Sequence, residues 1–264
     1  MARIGRRRLL RLGVAGMAAG CGIGSLTGVG MARERRQTHG DTEQERGRLT
    51  ARPGPPTDRG PLGLQPLGFG DPRDGLRYVP DNYREDRPSP LVVMLHGAGG
   101  SARGGLDPLL GLADEHGLML LAVDSRGKSW DVIVGGFGPD VAFLDRALAD
   151  TFGRYAVDAS RVAVEGFSDG ASYALSLGIT NGDLFSHVMA FSPGFIASGA
   201  QKGLPRLYLS HGTQDKVLSI DRCSRRIVPL MQRAGYDVRY HEFDGPHTIP
   251  AEIAQEAVAW FTEA

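Results

Sequence analysis

The sequence predicts an α/β fold: a mostly parallel open sheet with helices on both faces and no large lid domain. Three observations carry this. Short, continuously apolar runs recur from about residue 64 onward. Stretches with apolar residues at helical spacing separate them. Glycine, serine, histidine and aspartate stand just past the ends of the runs. Runs that are apolar at every position suit central parallel strands covered on both faces, whereas half-exposed strands alternate.

The runs come in order. Residues 91–95 (LVVML) end at His96-Gly97, and residues 119–123 (MLLAV) end at Asp124. Residues 162–166 form the third run, 187–191 the fourth, 207–209 the fifth and 238–243 the sixth. Between them, residues 140–152 place Val141, Leu144, Leu148 and Phe152 on one helical face. Residues 169–180, 220–235 and 250–263 are the other predicted helices, the last carrying Ile253, Ala257, Trp260 and Phe261. Strand, helix, strand with short links gives right-handed crossovers, and chemistry then gathers at the carboxyl ends of the strands. Only fifteen residues separate Phe191 from Leu207, which leaves no room for a helical lid.

The first part of the chain differs. Of its 264 residues, the first 60 hold twelve Arg against five acids, although the whole chain balances 30 basic residues with 30 acidic ones. The body is therefore mildly acidic, and no basic stripe suited to nucleic acid is expected on it. Residues 1–21 read as an export signal: a basic start, a short apolar stretch and small residues before a cleavage point. Arg6-Arg7-Arg8-Leu9-Leu10-Arg11 resembles the twin-arginine pattern, and Ala18-Ala19-Gly20-Cys21 resembles a lipobox, with Ala18 where Leu is usual. The chain is expected to be exported, periplasmic or extracellular, with Cys21 a candidate lipid anchor and membrane tether. Residues 22–63, rich in Arg, Pro and Gly, read as a flexible tether, and residues 64–264 as the folded domain. Cys21 and Cys223 form neither a disulfide framework nor a zinc pattern.

The third run leads into Gly166-Phe167-Ser168-Asp169-Gly170. Such a G-x-S-x-G turn holds a serine at a sharp strand-to-helix reversal, and its glycines let neighbouring backbones approach. A serine hydroxyl needs a base, and the base needs an orienting acid. For a nucleophile turn of this kind the acid and then the histidine follow in the chain. His187 starts a strand, His211 ends one and His241 lies within one, so His247, on the loop after the last strand, is the candidate base. Asp215, on the loop after the preceding strand, is the candidate acid. Asp221 reads as a helix cap and Asp244 as a turn former. The oxyanion needs two fixed donors. These are assigned to the N–H groups of Asp169, after the nucleophile, and Ala98, in the glycine-rich loop His96-Gly97-Ala98-Gly99-Gly100. Trp130, Phe137 and Phe195 are candidate walls of the acyl or alcohol site; core packing is the other reading of Trp130.

Together with His211-Gly212-Thr213-Gln214-Asp215 and Gly245-Pro246-His247, these motifs resemble the α/β-hydrolase superfamily. More narrowly, they resemble compact bacterial serine esterases of the phospholipase/carboxylesterase, dienelactone-hydrolase-like and polyhydroxybutyrate-depolymerase-like kinds. Dienelactone hydrolases have Cys where Ser168 stands. The resemblance implies ester hydrolysis through an acyl-enzyme on a small-molecule or lipid-like ester, with no cofactor and no metal. Acyl transfer or peptide hydrolysis by the same residues, or a silent binding protein of the same fold, are the alternatives.

Overall fold

The computed structural model describes residues 47–197 and 199–263. The expected signal at residues 1–21, Cys21 and the tether up to residue 46 lie outside the described residues. No described helix is long and apolar enough to cross a membrane.

Eight strands form one sheet: β1 (Gly63–Pro66), β2 (Gly75–Val79), β3 (Ser89–Leu95), β4 (Met119–Val123), β5 (Val157–Phe167), β6 (His187–Phe191), β7 (Arg206–Gly212) and β8 (Val238–Phe243). Their spatial order is β1-β2-β4-β3-β5-β6-β7-β8. Only β2 runs against its neighbours, and every other pairing in the sheet is parallel. Strands β3 to β7 are apolar and almost fully buried along their central residues, as the continuous runs require.

Seven helices connect them: α1 (Ala102–Leu110), α2 (Ala113–His116), α3 (Asp131–Val134), α4 (Pro139–Arg154), α5 (Asp169–Thr180), α6 (Ser224–Arg233) and α7 (Ala251–Thr262). One core lies between the sheet and α4, α5 and α6, with Leu144, Leu148, Tyr173, Leu177 and Met231 in it. The other lies under α1 and α7, with Leu106, Leu109, Ala257 and Phe261. Alternate residues of each buried strand feed the two cores, so both faces exclude water.

The path of the chain fixes where a site forms. From β3 it moves outward to β4, then returns to β5 on the other side of β3. The loops leaving β3 and β5 therefore part in opposite directions, and a crevice opens at the carboxyl ends of these two strands.

The structure corrects part of the expected tether, because residues 47–62 lie along the body. Leu49 is buried, and its N–H donates to Asn181 Oδ1 at 2.9 Å. Asn181 Nδ2 donates to Gly47 O at 2.7 Å. Thr50 and Ala51 N–H groups donate to Asp145 on α4. Asp183 takes ion pairs from Arg48, Arg52 and Lys202 at 2.7–3.0 Å. These are polar anchors without apolar periodicity, so the arm carries no helix or strand signal in the sequence.

Candidate active site

The turn at Ser168 is built by its glycines. Ser168 stands between β5 and α5 at φ +57° and ψ −118°, a backbone region costly for a side-chain-bearing residue. A Cβ on Gly166 would run into the backbone of Gly170, and a Cβ on Gly170 into the carbonyl of Leu95. Small residues at both positions are thus a steric requirement. The N–H of Ser168 donates to Phe191 O at 2.9 Å, tying the turn to β6.

His247 and Asp215 arrive from the loops after β8 and β7. His247 Nε2 lies 2.9 Å from Ser168 Oγ, and its Nδ1 lies 2.5 Å from Asp215 Oδ2. The carboxylate accepts from Nδ1–H, which leaves Nε2 as an acceptor for the serine hydroxyl. Asp215 Oδ1 takes the N–H groups of Val217 and Leu218, each at 2.8 Å. Burial pushes the Asp215 carboxyl up, but the bonds from His247 and these two amides outweigh it and hold it below the usual carboxylate range. It is therefore ionised at neutral pH. The ring of Phe167 packs 4.6 Å from that of His247, centroid to centroid.

Beside Ser168 runs the loop after β3. A Cβ built on Gly97 would lie 3.6 Å from Ser168 Cβ, so this loop flanks the serine closely. Gly99 N donates to Lys128 O at 2.7 Å and Gly100 N to Gly97 O at 3.0 Å. Among the described residues Ala98 N–H has no acceptor. Asp169 is the first residue of α5, where an N–H has no partner within its own helix. Its carboxylate accepts from Ser129 Oγ at 2.6 Å. His96 braces the loop: Nδ1–H donates to Gly97 O at 2.7 Å, and Nε2 accepts from Ser125 N at 3.0 Å. Burial pushes this imidazole pKa down. His96 is thus a neutral strut.

One of the three expected substrate walls, Trp130, is turned into the core instead. Trp130 is only 1% exposed. Its indole stacks on Tyr173 at 5.0 Å and its Nε1 donates to His96 O at 2.8 Å. It supports the glycine-rich loop from within the core, and the indole N–H that found a buried carbonyl was not visible in the sequence. Phe137 is half-buried against Tyr173 at 6.1 Å and lies over Gly47, where it packs the arm. Phe195 is half-buried against the core under α5, with its N–H near Ser172 Oγ at 3.4 Å. Asp221 caps no helix: α6 starts at Ser224, and Asp221 pairs with Arg225 at 2.7 Å on the surface. Asp244, in the bend after β8, accepts from Gln214 Nε2 of the loop after β7 at 2.6 Å.

The space beside His247 has other walls. An open cleft of about 350 Å³ is lined by Gly104, Asp107 and Pro108 of α1, by Phe167, and by His247, Thr248 and Ile249. Sequence reasoning missed the α1 side because Gly104-Gly105 and Pro108 hide a helix. The available signal was Ser101, an N-cap residue whose hydroxyl meets Gly104 N at 3.5 Å.

Strand order, the single reversed strand and a strained serine ahead of α5 define an α/β-hydrolase fold. Known proteins agree on the fold. No protein-family model matches the chain. It is 31% identical over 158 residues to a probable feruloyl esterase C of Aspergillus oryzae, covering 56% of this chain and 57% of that protein. It is 27% identical over 156 residues to feruloyl esterase D of Neurospora crassa, covering 54% of this chain and 53% of that one. The chain thus spans little more than half the length of the curated relatives it matches. Among solved structures, esterase PE8 superposes with a TM-score of 0.57 at 23% identity, over 70% of this chain and 96% of that one. A ferulic acid esterase from Anaeromyces mucronatus, in complex with ferulic acid, superposes at 0.52 with 18% identity, over 72% and 86%.

Proposed function

We propose that this chain is a serine carboxylesterase working through an acyl-enzyme, with Ser168, His247 and Asp215 as nucleophile, base and acid. The observation that carries the reading is the unbroken hydrogen-bond path from Ser168 Oγ through His247, at 2.9 Å, to Asp215, at 2.5 Å.

In this mechanism Ser168 Oγ attacks the ester carbonyl while its proton passes to His247 Nε2. The oxyanion that forms is held by the N–H groups of Ala98 and Asp169, and each such donor is worth roughly 10²- to 10³-fold in rate. The imidazolium, steadied by ionised Asp215, then gives its proton to the departing alcohol oxygen, and Ser168 retains the acyl group. Water enters, His247 takes its proton, and the acid leaves with Ser168 restored. The departing alcohol must meet His247 Nε2, so the cleft beside His247 suits the alcohol side of the ester.

The feruloyl esterases among the relatives make hydroxycinnamoyl esters the first substrates to test. Hydrolysis of methyl ferulate should be compared with p-nitrophenyl esters of graded chain length. Steady release of alcohol and acid from at least one series is expected; none from any series would reject the reading. The basic and apolar residues before Cys21 support export of the chain, with Cys21 as a lipid-bearing N-terminus. Recovery of all the protein in the cytosol with Met1 intact would refute the export, and unchanged detergent partitioning of Cys21→Ala would refute the anchor.

A further inference from the structure

The acid of the proposed triad is braced from a side that the triad itself does not explain. His211, near the end of β7, has no solvent exposure. Its Nε2 lies 2.8 Å from Leu218 O and 3.2 Å from Asp215 Oδ2. Its Nδ1 lies 2.7 Å from Ser224 Oγ, the first residue of α6. Both neighbours of Nε2 are acceptors, so the proton belongs there, and Nδ1 accepts from the serine hydroxyl. Burial pushes this imidazole pKa down, which agrees with a neutral ring.

The acceptor count on Asp215 then closes. Oδ1 takes two backbone N–H groups. Oδ2 takes His247 Nδ1–H, and His211 Nε2, bonded to Leu218 O, stands 3.2 Å from it. A carboxylate offers about four acceptor positions; three hydrogen bonds and the His211 contact account for them. Without the His211 donor, Oδ2 keeps an unfilled lone pair in a buried place. The carboxylate can then turn, and more of its negative charge falls on His247.

We propose that His211 is a positioning residue for the reaction: a neutral imidazole, set by Ser224, that donates to Leu218 O and Asp215 Oδ2 and so fixes the acid against His247. This rests on the Ser168–His247–Asp215 reading. The titratable groups facing the pair are His247, Cys223 of the turn before α6, and Glu242 of β8. Burial raises the Cys223 thiol and the Arg225 bond lowers Glu242, so neither changes charge in the neutral range.

The test is kcat, KM and their pH profiles on a p-nitrophenyl ester, with thermal midpoints, for wild type, His211→Phe, His211→Gln, Ser224→Ala and Ser168→Ala. His211→Phe should lower kcat roughly tenfold, the scale of one bond to a charged group, with KM nearly unchanged. A carboxylate freed of one donor stabilises the imidazolium more, so the acid limb should move up by about half a pH unit. The Gln side chain carries a donor amide to a similar reach and should restore most of both. Ser224→Ala should shift the limb in the same direction by less. A folded His211→Phe with the wild-type kcat and profile, or a Gln variant no better than Phe, would overturn the proposal. Should His211→Phe fail to fold, an unchanged limb and kcat in Ser224→Ala would overturn it. Full activity in Ser168→Ala would instead show that the underlying triad reading is wrong.

Discussion

Asp215 and Asp221 differ by six positions and have opposite surroundings. Asp215 is buried and its acceptor positions are filled, whereas the Asp221 side chain is 72% exposed beside Arg225. Asp215→Asn should lower kcat by roughly 10⁴, because an amide no longer holds the working tautomer of His247. Asp221→Asn should leave kcat unchanged, since exposed ion pairs contribute little. Steady-state kinetics on both variants checks the ranking, and the reverse order would mean that the wrong carboxylate has been chosen. At this scale much was legible. Ser168, Asp215 and His247 stand in motifs whose spacing follows from strand ends, and the structure brings their side chains together. The orientation of a large side chain was not legible. Trp130 sits in a loop at the active-site edge, yet its ring turns inward because Tyr173 and the carbonyl of His96 receive it.

Elements show the same division. Every central strand announced itself as a continuous apolar run, and α4, α5 and α7 began and ended within two residues of expectation. The edge strand β1 and its neighbour β2 were missed, since four or five residues opening on Gly carry no continuous apolar run. The arm at residues 47–62 was misread because Asn181, Asp145 and Asp183 hold it by polar bonds. Asn181→Ala leaves the N–H of Leu49 without its buried acceptor and should cost about 2 kcal/mol in urea unfolding. Burial pushes Asp183 up, but Arg48, Lys202 and Arg52 reverse this and hold it well below the usual range. A depressed carboxyl adds stability above its unfolded pKa and loses it as pH falls through the folded one. Proteolytic cuts in residues 47–62 should therefore appear first in acid. The loop from Arg126 to Asp140 has the opposite sign. Burial and then the charge of Asp140 raise Asp131 to about 6, despite the N–H groups of Gly138 and Asp140. A raised carboxyl adds stability below its unfolded pKa and loses it as pH rises through about 6. Asp131→Asn keeps an acceptor oxygen and removes the charge. It should match wild type at pH near 4 and be more stable at pH near 8, by up to about 3 kcal/mol. Equal stability at both pH values would show that Asp131 is not strained by its charge.

Across the whole molecule, sheet topology determines where the chemistry sits. The outward step from β3 to β4 and the return to β5 put the glycine-rich loop and Ser168 on two sides of one crevice. The loops after β7 and β8 bring Asp215 and His247 to the same edge. Two cores on either side of the sheet give that edge a rigid base, as a strained serine requires. The central claim is that this edge makes Ser168 a nucleophile. The most direct measurement is treatment of the purified chain with a fluorophosphonate, followed by peptide mass spectrometry and ester hydrolysis assays. A single adduct on Ser168 is predicted, absent from Ser168→Ala, with hydrolysis in that variant slowed by at least roughly 10³-fold. An adduct on another serine, or a Ser168→Ala variant that hydrolyses esters at the wild-type rate, would contradict the account.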